Sequence, residues 1–131
     1  MPQLSSPRRV GVLPAATFAA LVLLCSIPLV AHHGWGGYSD KEFEITGTLE
    51  SPVSLAGPHA GMKMRVDGKV WDVTLAPPAR TERAGLKEGL IPVGATVTAH
   101  GHRHQDPKRL EIKTERVTWN GKVYAVYPDR D

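Results

Sequence analysis

Residues 42–53 alternate, and that alternation constrains the chain more than any other feature. Phe43, Ile45, Gly47, Leu49, Ser51 and Val53 fall on odd positions; Glu42, Glu44, Thr46, Thr48 and Glu50 fall on even ones. A period of two held this long predicts a half-buried strand with its charges outward. On that outer face Glu42, Glu44 and Glu50 read as solubility charges, not as an acid–base pair. Gly47, without a side chain, predicts a bend or bulge that helps a sheet curl. Pro52 marks the expected end of regular pairing.

The same period continues downstream. Met62, Met64 and Val66 alternate with Lys63, Arg65 and Asp67, and Asp67-Gly68 is a two-residue hairpin turn. The return strand, 69–75, puts Trp71, Val73 and Leu75 on one face, and the two methionines and Trp71 read as core. Pro77-Pro78 stops it. Residues 79–86 have helix formers and few β-branched side chains, which predicts about two helical turns. Next come Ala95, Val97, Ala99 and Gly101 as an inner set, with Thr96, Thr98, His100, His102 and His104 as the outer one. Leu110, Ile112 and Thr114 keep even phase but Val117 and Trp119 are odd. This slip predicts a bulge or a sheet-switching bend between Ile112 and Val117. Asn120-Gly121 is a second hairpin turn, leading to a last strand at 123–127. Strand, hairpin, short helix, strand, strand is the plan of an OB-fold. The expected architecture is mainly β: a small OB-like antiparallel β-barrel with one short helix, spanning 42–131. An open antiparallel sheet or sandwich is its rival.

Upstream the composition changes. Arg8 and Arg9 precede an almost wholly apolar run, 10–31, in which Pro28 leads to Leu29-Val30-Ala31. That pattern predicts a signal peptide over 1–31, with Ala31 at the cleavage site, although Leu29 is larger than such sites prefer. The alternative is an uncleaved anchor, since about 20 apolar residues span a bilayer. Either way the chain is expected to be exported, periplasmic or secreted, with membrane attachment only through that anchor. Residues 32–41 form an amino-terminal arm. Cys25 is the only cysteine and lies in the apolar run, so the mature part has no disulfide. Leu23-Leu24 before it argue against a lipid-attachment site.

Removing 1–31 takes two of 16 Lys+Arg and none of 13 Asp+Glu, leaving 14 against 13 and a formal charge of +1. A near-neutral domain lacks the basic footprint of a nucleic-acid binder.

His32-His33, Thr46-Gly47-Thr48 and Pro58-His59-Ala60 together resemble a bacterial family of small exported proteins of unknown function. That family is characterised by a signal peptide, His-His near the mature start and an Asn-Pro-His-Ala-like motif. Gly57 stands here where Asn is usual. The resemblance implies export and a β-rich fold, and implies no reaction.

Cleavage after Ala31 would make His32 the new amino terminus, placing an amine beside two imidazoles. Amine and ring nitrogens of such a residue chelate one ion, and nitrogen-rich tetragonal sites suit Cu(II). The expected metal ligands are therefore His32 and His33, with His59 as a third from its turn. His100 and His102 form a second candidate group, because alternate strand residues point the same way and can converge on one ion. Trp35 and Tyr38 are expected to pin the arm to the barrel. No nucleophile motif or phosphate cradle is present, so catalysis is not expected. The expected role is carriage or buffering of copper or another transition metal. The rival is a metal-free binding module for a peptide, envelope component or small ligand, with an unknown protein partner.

Overall fold

The computed structural model describes Gly11 and residues 35–130, and every element below lies in the unit His32–Asp131. Apart from Gly11, the expected signal peptide lies outside the described residues, as do His32 and His33. Among the described residues no helix is long and apolar enough to cross a membrane.

The alternating run forms β1 (Tyr38–Ser54), followed by β2 (Gly61–Val66) and β3 (Lys69–Thr74). A short helix, α1 (Pro78–Arg83), precedes β4 (Thr96–His104), β5 (Glu111–Trp119) and β6 (Lys122–Ala125), and a 3-10 turn at Pro128–Arg130 ends the described chain. The sheet order is β3-β2-β1-β4-β5-β6, and β3 also pairs with β5. Strands β1, β2, β3, β5 and β4 thus form a closed ring of hydrogen bonds. This mainly β ring with its short helix agrees with the OB-like expectation.

One pairing departs from a purely antiparallel plan: Asp72, Val73 and Thr74 pair in parallel with Glu111, Ile112 and Lys113. The reason is parity. Strand direction reverses at each antiparallel step, so a ring of five strands must contain at least one parallel contact. The shortest seam in the ring is that contact.

The inner face carries Ile45, Leu49 and Val53 of β1, Met62 and Met64 of β2, Trp71 and Val73 of β3, Val97 and Ala99 of β4, and Ile112 and Val117 of β5, all buried. Burial of this apolar surface is the main stabilising term. Gly47 and Gly101 lie where strands cross closely. A Cβ at Gly47 would meet Arg65 O at 2.2 Å, and one at Gly101 would meet Lys113 O at 2.0 Å. Both turns behave as their residues dictate, with Asp67 at φ 47° and Asn120 at φ 52° before their glycines.

Helix α1 starts with Pro78 in its first turn and ends at Gly85, φ 95°. There Gly85 N donates to Glu82 O and Leu86 N to Thr81 O, the paired bonds of a Schellman stop. Thr81 is wholly buried and donates its hydroxyl to Ala76 O, which fixes α1 on the end of the ring. Strand β1 begins at Tyr38, before the alternation does. Its pairing with β4 shifts register between Tyr38 and Glu42, which hides this segment from a search for period two.

Candidate metal centre

Antiparallel pairing of β1 with β4 sets Glu44 opposite His100 and Glu42 opposite His102. On the other side β4 pairs with β5, His100 opposite Arg116 and Gly101 opposite Thr114, so the ladder skips Glu115. This is the bulge expected between Ile112 and Val117. Gly101 permits it, because only a residue without Cβ lets the Lys113 carbonyl come so close. The extra residue turns the Glu115 side chain onto the outer face beside the histidines.

That outer face is not open to water here. Trp35 lies edge-on to His102 at 5.5 Å and to Tyr127 at 5.2 Å between ring centroids. The Arg130 guanidinium stacks on the Trp35 ring at 4.0 Å, and the Lys113 ammonium approaches it at 5.6 Å. Trp35 is thus pinned to the sheet, as expected, and Tyr38 with it: its hydroxyl donates to Glu111, and its ring meets His104 at 5.2 Å. Beneath this cover Glu115 is 1% exposed and His102 7%.

Glu115 is the hub. Its Oε1 accepts from His102 Nε2 at 2.9 Å and from Arg130 Nε at 3.0 Å. Its Oε2 is buried and, among the described residues, has no hydrogen-bond partner. A bare carboxylate oxygen in a dry site is costly unless a cation or a donor meets it. Glu42 and His100 stand close to this carboxylate. A ring nitrogen of His100 and carboxylate oxygens of Glu42 and Glu115 lie within 4.8 Å of one another. Donors held about 2.1 Å from one ion are at most about 4.2 Å apart, so a modest side-chain adjustment would gather the three about one ion. Among the described residues, Glu42, His100 and Glu115 are thus a group that can hold a metal ion.

His102 has a different task in this arrangement. Its Nδ1 faces Ser39 O at 2.8 Å while Nε2 faces Glu115. Both ring nitrogens are thus engaged within the protein, away from Glu42 and His100. Of the expected pair, the group among the described residues includes His100, which turns to Glu42 and Glu44, while His102 holds Glu115. The expectation that Glu42, Glu44 and Glu50 are plain solubility charges also changes, since Glu50 pairs with Arg65 at 2.7 Å.

His59 does not join the triad. It is half-buried and lines a cleft of about 530 Å³ with Met62, Thr74, Arg109 and Glu111. Burial and then the nearby Lys113 charge hold its imidazole below the ordinary histidine range. His104 Nδ1 accepts from Asp106 N at 3.0 Å. Among the triad, sequence reasoning named His100 but neither glutamate as a ligand. Glu42 carried a usable signal, the shared outer phase with His100, though strand register supplied the match. Glu115 carried only its place inside the phase slip.

Solved structures give partial likenesses. Apo TiaS, a tRNA agmatidine synthetase, is 16% identical over 60% of this chain, with a TM-score of 0.46. The ZRD-deleted mutant of TiaS in complex with agmatine is 15% identical over 66%, TM-score 0.47. A tRNA fluorescent labeling enzyme is 15% identical over 60%, TM-score 0.45. The matched part spans 18%, 26% and 18% of those chains, respectively. No curated protein matches the chain. A family model matches residues 20–113, and the chain belongs to that family, the family of unknown function DUF6152.

Proposed function

We propose that this protein is an exported domain that binds a divalent transition metal and carries or buffers it without turnover. The observation that carries the reading is a grouping of Glu42, His100 and Glu115, in which Glu115 is buried and keeps one carboxylate oxygen without a partner among the described residues. Two carboxylates and an imidazole make a borderline-to-hard donor set, suited to Zn(II), Mn(II) or Cu(II) more than to Cu(I). The two candidate soft ligands on β2, Met62 and Met64, are buried in the core. Export is supported by Arg8-Arg9 and the apolar run 10–31. Processing after Ala31 would add the His32 amine and imidazole. Trp35, three residues on, is seated against His102, and three residues reach about 10 Å at most. A free amino terminus so tethered is a natural fourth donor, and would raise the preference for Cu(II).

The test is a titration of the chain secreted with its native signal, its amino terminus fixed by mass spectrometry. Zn(II) and Cu(II) are the probes. Glu115→Gln and His100→Ala are each expected to weaken binding by more than about 100-fold, beyond the roughly 10–100-fold of losing an outer partner. One extra residue before His32 should selectively weaken Cu(II). Binding indifferent to Glu115 and His100 would defeat the triad as the site.

A second reading, a binding module for a small ligand, rests on the cleft beside His59. Its volume is within the range of ligand pockets, and ion pairs Lys63–Asp72 and Arg109–Glu111 flank it. Ligand binding that is lost in His59→Ala and untouched by Glu115→Gln would favour this reading over the metal one.

A further inference from the structure

Resting on the metal reading above, we infer that Arg130 sets the affinity of the Glu42–His100–Glu115 site, as an internal cation that shares Glu115 with the bound ion. The residue is well placed for this. The backbone amides of Val126 and Tyr127 both donate to the Glu115 carbonyl, at 2.8 and 3.0 Å. The 3-10 turn that follows brings Arg130 back over the same residue. Its Nε donates to Glu115 Oε1, and its guanidinium is steadied by the Trp35 ring. His102 occupies the same oxygen from the other side.

All the charge compensation of Glu115 is therefore gathered on Oε1, and Oε2 is left for something else. The guanidinium has two opposed effects. It favours the ionised carboxylate that a metal needs. It also sits one carboxylate away from the ion, so the two cations repel, and Arg130 is only partly shielded by water, with 37% of its side chain exposed. The repulsion of a divalent ion outweighs the help, because His102 alone keeps a donor on Oε1. A site built this way binds its ion loosely enough to give it up. Such weakening suits a carrier or buffer and would be a defect in a structural metal site.

The experiment is a Zn(II) titration of the full chain, comparing wild type with Arg130→Gln, Arg130→Met and Arg130→Lys. The two neutral variants keep packing on Trp35, and Gln also keeps a donor for Oε1. Both are expected to bind Zn(II) roughly tenfold tighter. Arg130→Lys, with the charge but without the planar stack, should remain within about threefold of wild type. If Arg130 were only a strut for Glu115, all three variants would bind more weakly, Lys included, and that result overturns the inference. Should one neutral variant not fold, the other decides. Failure of the underlying reading looks different. Wild type that binds no Zn(II) at about millimolar concentration sinks both proposals. Wild-type binding lost in Glu115→Gln, with unaltered affinity in the neutral Arg130 variants, removes only the role of Arg130.

Discussion

Glu115 and Lys113 stand two residues apart on β5, both nearly free of solvent, yet their surroundings differ. Glu115 has two donors on one oxygen, His102 and Arg130. Lys113 is 3% exposed, and among the described residues its ammonium makes no hydrogen bond and no ion pair, only the approach to the Trp35 ring. Burial holds its pKa below the ordinary lysine range, partly offset by the charge of Glu111. A buried cation held in no ion pair is a liability that an apolar side chain of similar length removes. Lys113→Met is therefore expected to stabilise the fold by about 1 kcal/mol, read as a higher urea midpoint at unchanged slope. A loss of stability would mean that the contact with Trp35 outweighs desolvation. These two residues also show the limit of sequence reading at this scale. Both sit in a segment whose phase changes, so neither burial nor partner could be assigned from alternation.

At the scale of elements, the site is made by one bulge between β4 and β5, and the bulge depends on Gly101. Its neighbour across the ladder is backbone, which cannot swing aside as a flexible side chain would. Gly101→Ala is expected to cost more than about 2 kcal/mol and to weaken Zn(II) binding, since Glu115 must shift with the carbonyl of Lys113. Gly36→Ala is the control. Nothing lies within 4 Å of a Cβ there, and the change should stay within about 0.5 kcal/mol. Urea unfolding of both variants checks this, and equal costs would remove the close approach as the cause. The hairpin elements were legible beforehand. Asp67-Gly68 and Asn120-Gly121 are local instructions, complete within two residues. The early start of β1 was not, because Tyr38 and Ser39 owe their strand geometry to β4 and β5, through Glu111 and His102.

For the whole molecule, acid titrates stability in two separate steps. His59 is held below its unfolded value of about 6.5, by burial and then by Lys113. The unfolded chain therefore takes up this proton first, so the contribution of His59 is complete above about pH 6.5 and is lost as pH falls toward the folded value. Glu111 follows later. Burial alone would push its carboxyl up, but hydrogen bonds from Tyr38 and Thr74 together with the Arg109 guanidinium hold it below the usual carboxylate range. Its contribution is present above about pH 4.5 and lost below. Urea midpoints between pH 7.5 and 5.5 should fall in the wild type and fall less in His59→Asn, while Glu111→Gln should flatten the profile only below about pH 4.5. An unchanged slope in His59→Asn would show that another group governs the first step.

Taken alone, the sequence determined the strands, both hairpin turns, the short helix, the phase slip on β5 and the β-rich ring, because each is written in neighbours a few residues apart. Periodicity, turn residues and prolines act locally, and burial of the apolar phase then leaves few ways to close the sheet. The tertiary structure decided which polar residues meet. Glu42, His100 and Glu115 come from three strands, and the register between strands and the depth of one bulge are properties of the closed ring. It also decided that the outer face near Glu115 is covered, by Trp35 before the first strand and Arg130 after the last. No period in either segment predicts that they converge on the same glutamate.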